Sequence, residues 1–458
     1  MPKKKRTLLI GAGACVGVLL LASCDTATFQ ESGTHKTIAA QEATSMTNFT
    51  QEAMITTGTW LSSSMSSDTV LERTDVPKAS STTTTRLSSS TTDAKTQPTN
   101  LPVQYRLEEQ ARLLGRCFYH DGTSATYFGF TGTGFELMFT GKKLQAKLVA
   151  DVESVRSADS RPYLAIYVDN MEKPIKVYSM DKQRDTLVLF ESDQVKTVKV
   201  RVLKRSEASQ STIGVQELIG DADAVLKPTE VSKRRLVFLG DSITCGYGNE
   251  GAPGESFCTR TENGCDTYAA RTARHFQADY HCIAQSGIGV CSGYTTTAQP
   301  ANSFLFKDLY VLTDTAGQRR LFMNKTLYDF SLFQPEAVVL NLGKNDASYT
   351  VRAGLDAQEQ FFAAYRELLT LVREKNPRAV ILCTLGPVAS PEEQALFDGI
   401  ETIVQEVNAA GDKKVFSLAF AAGTSDEGLG TDDHPSMATH IRMADTLEKK
   451  LSEILGWA

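Results

Sequence analysis

The chain of 458 residues lacks a basic excess: 48 Lys and Arg stand against 54 Asp and Glu, for a net charge of −6. Outside the first few residues no basic cluster appears. This excludes a dedicated nucleic-acid binder. No C-x-x-C pair is present, so the sequence offers no zinc-site spacing. It lacks the Gly-Lys-Ser/Thr of a phosphate loop. It also has no G-x-S-x-G elbow: in "GDSIT" Thr244 stands where the second glycine would be, which disfavours an ordinary α/β-hydrolase. Hydrophobic content of 41% and charged content of 22% leave ample material for packed cores.

The N-terminus reads as an export signal. "MPKKKR" is followed by an apolar run of 15 residues, "LLIGAGACVGVLLLA", which is short for a membrane span. "LASC" then ends at Cys24 and resembles a bacterial lipobox, with Cys24 as the lipid-bearing residue. The expectation is a signal peptide over residues 1–23 and a cell-surface or periplasmic lipoprotein anchored to a bacterial membrane. Residues 24–104 carry Ser/Thr tracts with little to bury, and read as a disordered tether. Beyond Cys15 and Cys24 seven cysteines remain, an odd number. Cys258 and Cys265 flank a short polar loop, which makes a local disulfide an expectation for an exported protein.

Two folded domains follow. Residues 105–225 contain about eight short runs rich in Val, Ile, Tyr, Phe and Leu, separated by Gly, Asp and Asn. They predict an all-β domain of β-sandwich or jelly-roll type. Over residues 232–458 the period changes. Five apolar runs ("RLVFLG", "DYHCIAQSG", "EAVVLNLG", "AVILCTLG", "KVFSLAF") alternate with helical patterns. In one helix Phe361, Phe362, Tyr365, Leu368, Leu369 and Val372 share a stripe. In the last, Ile441, Ala444, Leu447, Leu451, Ile454 and Leu455 share a face. Alternation of this kind predicts an α/β domain with a parallel sheet and helices on both faces.

In such sheets sites form beyond the carboxyl ends of the strands. Asp241-Ser242 follows the first run, Ser286-Gly287 the second, Asn345-Asp346 the third and Asp432-Asp433-His434 the fifth. These are the parts of an acyl-transfer site: a serine nucleophile, a histidine base, a group to orient it, and donors for an oxyanion. The candidate donors are the Ser242 N–H, the Gly287 N–H and the Asn345 side-chain amide. At such a turn a serine serves as a helix cap as readily as a nucleophile; for Ser242 the three later segments favour the nucleophile. His35, His120, His275, His281 and His440 read as structural. Tyr247, Tyr294 and Tyr349 lie near these segments and are candidates for stacking on sugar.

"GDSIT", Gly287 in "SGIG", "GKND" and "DDHPS", in that order, resemble the four blocks of the SGNH, or GDSL, hydrolases. With the upstream β-domain, the chain is similar to carbohydrate esterase family two over residues 105–458. The resemblance implies a flavodoxin-like three-layer hydrolase domain and a jelly-roll domain before it. It implies removal of acetyl groups from polysaccharides such as xylan and mannan, through an acetyl-enzyme, with no cofactor or metal. The alternatives are an esterase acting on peptidoglycan or lipid, and a non-catalytic polysaccharide-binding lipoprotein. The final block departs from the usual Asp-x-x-His, since Thr431 lies three before His434. Asp432 is the expected third triad member, with a main-chain carbonyl as the alternative.

Overall fold

The computed structural model describes residues 101–314 and 325–458. The expected signal peptide, the lipidation at Cys24 and the tether lie outside the described residues. Among the described residues no helix is long and apolar enough to cross a membrane.

The β-domain contains ten strands: β1 (Val103–Tyr105), β2 (Arg112–Leu114), β3 (Cys117–His120), β4 (Ala125–Phe128), β5 (Gly134–Ala150), β6 (Tyr163–Val168), β7 (Lys176–Ser179), β8 (Arg184–Lys204), β9 (Ile213–Gly220) and β10 (Val225–Pro228). All pair antiparallel in one hydrogen-bonded sheet, of order β3-β4-β9-β5-β8-β6-β7, with β1 on β9 and with β2 and β10 on β5. The sequence reading expected a sandwich; here one curled sheet does that work. The reason is the length of β5 and β8, 17 and 21 residues. They pair along almost their whole length, and their register shifts between Gly141 and Lys143 and again between Leu144 and Gln145. Such irregularities bend a ladder. Phe135, Leu137 and Phe139 from one half of β5 therefore share a core with Leu144, Ala146 and Leu148 from the other, and with Leu187, Val198, Val200 and Val202 of β8. Along each half, alternate residues face that core.

The second domain is built on five parallel strands: β11 (Arg235–Gly240), β12 (Asp279–Ala284), β13 (Ala337–Asn341), β14 (Val380–Val388) and β15 (Val415–Ala421). Their order is β12-β11-β13-β14-β15. The principal helices are α1 (Ser242–Cys245), α2 (Tyr268–His275), α3 (Lys344–Ala353), α4 (Leu355–Lys375), α5 (Pro391–Ala409) and α6 (Met437–Leu455). Successive strand residues feed opposite faces. Leu236, Phe238, Val339 and Leu382 pack with Tyr268 of α2 and with Met443 and Leu447 of α6. Val237, Leu239, Val338, Leu340 and Ile381 pack with Phe361 and Tyr365 of α4 and with Leu396 and Ile400 of α5. Burial on both faces is why these strands read as continuous apolar runs. The chain leaves β11 for β12 on one side and returns to β13 on the other. The mouth between the ends of β11 and β13 is therefore a topological switch point.

Two sequence expectations change here. On α6, Ile441 is 42% exposed, and His440 and Met443 turn inward instead. The disulfide expected between Cys258 and Cys265 is not formed, and all seven cysteines of the described residues are free. The Cys265 thiol is buried and donates to the Lys204 carbonyl at 3.5 Å, while Cys258 lies against Thr261. The loop thus directs Cys265 into the β-domain and away from its sequence neighbour. The two domains are also tied by Arg112 of β2, which reaches Glu136 at 2.8 Å and Asp279 of β12 at 2.5 Å.

Candidate active site

β11 ends at Gly240, where an added Cβ would lie 2.0 Å from Thr244 Oγ1, so the chain can turn this sharply only with glycine. Asp241 caps the next turn, its carboxylate accepting the Ile243 N–H at 3.0 Å. Gly246, with φ of 81°, ends it in the left-handed region. The capping role open to serine is thus taken by Asp241, and Ser242 is the first residue of α1. It is 8% exposed, and its Oγ lies 2.8 Å from His434 Nε2.

His434 is presented by two consecutive left-handed residues, Asp432 (φ 49°) and Asp433 (φ 58°). Aspartate tolerates this conformation better than most residues. The turn brings the Asp432 main-chain carbonyl to 3.1 Å from His434 Nδ1. The Asp432 carboxylate, expected from the sequence to hold the histidine, instead accepts the Tyr247 hydroxyl at 2.8 Å. Nδ1–H donating to a carbonyl leaves the Nε2 lone pair toward the serine hydroxyl. Burial lowers the His434 pKa, partly offset by the Asp432 carbonyl and carboxylate, so the imidazole is neutral at neutral pH.

Tyr247 does not offer a ring to a sugar. It stacks on Phe257 at 3.9 Å and lies over the His434 imidazole at 4.2 Å. Phe257 is nearly parallel to the Tyr247 ring at 16° and His434 is tilted by 30°; two rings centred this close to a third lie on its opposite faces, so both faces of Tyr247 are covered. Tyr349 is only 5% exposed and its hydroxyl meets Gln360 at 3.3 Å, which removes it from the cleft as well. Tyr294, 61% exposed, does line the cleft. This cleft, of about 350 Å³, is also walled by Ser242, Lys344, Asn345, Ser348 and His434.

The other side chains converge on the segment after β12. Gly287 has a φ of 75°. Asn345, in the first turn of α3, donates from Nδ2 to the Ile288 carbonyl at 2.8 Å and makes a longer contact, 3.4 Å, with Asp241. Its neighbour Asp346 is fully buried and accepts the N–H groups of Val290, Cys291 and Ser292 at 2.7 to 3.0 Å. Burial pushes the Asp241 carboxyl up to about 7 and raises that of Asp346 as well. The first N–H groups of a helix have no partner within it, and that of Ser242 is one of these. Sequence reasoning missed the packing of Tyr247 on His434, because 187 positions of chain separate the two rings in numbering and no local pattern links them.

One group among the described residues has the spacing to hold a metal ion. Glu207, Cys245 and Glu262 each place a ligand atom within 4.8 Å of the others. None of the three lines the cleft.

Comparison with known proteins gives the arrangement its relatives. A model of the GDSL-like lipase/acylhydrolase family matches residues 238–441, and a model of the carbohydrate esterase 2 N-terminal region matches residues 113–243. The chain is 33% identical over 334 residues to the cellulase/esterase CelE of Acetivibrio thermocellus, covering 72% of this chain but only 38% of that protein. It is 24% identical over 349 residues to an acetylxylan esterase / glucomannan deacetylase of Cellvibrio japonicus, of which it covers 89%. Among solved structures, a family two carbohydrate esterase from Clostridium thermocellum in complex with cellohexaose superposes with a TM-score of 0.67 at 30% identity. That match spans 76% of this chain and all of the other. With both regional models matched in order and the whole of that solved chain covered, the protein belongs to carbohydrate esterase family two.

Proposed function

We propose that the protein is a serine esterase that removes O-acetyl groups from polysaccharide, with acetylated xylan or glucomannan as its substrate class. The observation that carries this is the 2.8 Å contact of Ser242 Oγ with a half-buried, neutral His434 in an open cleft. In this mechanism the Ser242 oxygen attacks the acetyl carbonyl carbon while its proton passes to His434 Nε2. Negative charge gathers on the carbonyl oxygen, where the N–H groups of Ser242 and Gly287 and the Asn345 amide are the candidate donors. The intermediate collapses, the bond to the sugar oxygen breaks, and that oxygen takes the proton from Nε2. Water then gives a proton to His434 Nε2 as its oxygen attacks the acetyl-serine carbonyl; the bond to Ser242 Oγ breaks, Oγ takes the proton back from Nε2, and acetate leaves. The names of the Cellvibrio relatives support xylan and glucomannan as the substrate class.

The strand order supports reading the second domain as flavodoxin-like, and the curled sheet supports a jelly roll for the first. The "LASC" segment supports an exported protein anchored through a lipid on Cys24. Acetate release from acetylated xylan, acetylated glucomannan and O-acetylated peptidoglycan tests the substrate class. Release from the first two is expected. Release from peptidoglycan alone would overturn the substrate class, and retention on polysaccharide without turnover would overturn the enzyme.

The carbonyl contact to Nδ1 has its own test. Asp432→Asn keeps the shape and the left-handed preference, so the carbonyl stays on His434. The plateau kcat is then expected within about threefold of the parent, against the roughly 10⁴-fold loss seen where a carboxylate orients the histidine. The Asp432 charge raises the His434 pKa, so its removal lowers that pKa further. Because neutral His434 is the active form, the acid limb of the kcat/KM profile should move to lower pH. A loss of several thousandfold would make the carboxylate the third triad member.

A further inference from the structure

Glu207 lies in the connection between β8 and β9, in the β-domain, yet its carboxylate is buried against the second domain. Its Oε2 accepts the Ser286 N–H at 2.8 Å, one residue before Gly287. It also meets the Cys245 thiol at 3.7 Å, on the turn that begins with Ser242. Its own N–H donates to Glu262 Oε2 at 2.9 Å, and its carbonyl accepts from Lys204 Nζ, also at 2.9 Å. Glu207, Glu262 and Lys204 are all wholly inaccessible to solvent.

A carboxylate buried so completely is costly unless its bonds compensate. Glu207 Oε1 and Glu262 Oε1 have no hydrogen-bond partner. One oxygen of each carboxyl lies within 4.8 Å of one oxygen of the other. Burial, and after it the neighbouring Glu207 carboxylate, push the Glu262 carboxyl well up. The Lys204 ammonium, which also donates to the Gly129 and Ser206 carbonyls, already supplies positive charge here and makes the pocket a poor one for a metal cation.

The segment after β12 is therefore held at three places. Asp346 holds residues 290–292 and Asn345 holds the Ile288 carbonyl, both from α3. Glu207 holds Ser286, and it comes from the other domain, 79 residues earlier in the chain. We propose that Glu207 is a positioning residue through which the β-domain sets the Ser286–Gly287 backbone for the developing oxyanion, so that turnover depends on this one contact between domains. The inference rests on the esterase reading and on Gly287 as a donor.

The test compares kcat and KM on an aryl acetate for the full chain and for Glu207→Asp, Glu207→Gln and Ser242→Ala, at a temperature where circular dichroism shows each folded. Aspartate keeps the charge but withdraws the acceptor from Ser286 by one methylene. Its kcat is expected to fall at least about 10-fold with KM within about twofold, since a misplaced donor weakens only the transition state. Glutamine keeps a carbonyl oxygen for the Ser286 N–H and can donate its amide to Glu262, so its kcat should stay within about threefold of the parent. Equal kcat in the parent and Glu207→Asp would overturn the proposal. So would a kcat loss in Glu207→Gln as large as in Glu207→Asp. If the parent itself shows no turnover above Ser242→Ala, it is the esterase reading that fails; an active parent with an inert Ser242→Ala isolates the result to Glu207.

Discussion

Ser242→Ala is expected to lower kcat for acetate release roughly 10⁶-fold and to leave the fold intact. The serine hydroxyl contributes a bond to His434 Nε2, and the backbone of its turn is held independently by Asp241 on one side and Gly246 on the other. Removing one oxygen from that site should move the thermal midpoint little, because no buried donor is left without an acceptor. His434→Ala should cost a similar factor, and the double variant little more, since nucleophile and base act as one unit. Acetate release by each variant, with the residual rate compared against buffer, checks this. Turnover near the parent level in Ser242→Ala would remove the nucleophile from the assignment.

The second large effect concerns the oxyanion. Asn345→Ala should lower kcat roughly 10²- to 10³-fold with little change in KM. One N–H of the amide is committed to the Ile288 carbonyl at 2.8 Å, which fixes the plane of the group at the edge of the cleft. Its other contact, to Asp241 at 3.4 Å, is long and readily given up to a developing negative charge. Truncation also leaves the Ile288 carbonyl without that donor, so stability should fall by about 1 kcal/mol. Steady-state kinetics beside thermal melting separates the two: the kinetic loss far exceeds what the modest destabilisation can account for. An unchanged kcat would show that Asn345 serves only its own loop.

Much of this site was legible in the chain itself. Apolar runs buried on both faces marked the parallel strands, and the residues just after them could be paired into one site, because every parallel strand ends at the same edge of its sheet. That reasoning brings Ser242, Gly287, Asn345 and His434 together, and the structure gathers Ser242, Asn345 and His434 around one cleft, with Gly287 beside Ile288, whose carbonyl Asn345 holds. Asp346, next to Asn345, does not line the cleft; its carboxylate accepts three N–H groups of residues 290–292.

What the pattern could not decide were directions and long-range partners. Whether Asp432 meets His434 through its carboxylate or its carbonyl depends on two left-handed dihedrals, and both outcomes share one spelling. Tyr247, Tyr294 and Tyr349 all sit near the motifs in sequence; only packing turned one onto the histidine, left one in the cleft and buried the third. The thiol of Cys265 faced the β-domain instead of Cys258, seven positions away. The sandwich became one curled sheet because β5 and β8 run on through their bends, where a break in hydrophobic period looks the same as a turn. Glu207 had no signal at all: in "KRSEASQ" it is one charged residue of a polar loop. Sequence by itself determined the order of the elements and which of their ends converge. The tertiary structure alone decided which atom of each residue faces the site, since that is set by dihedral angles and by neighbours remote along the chain.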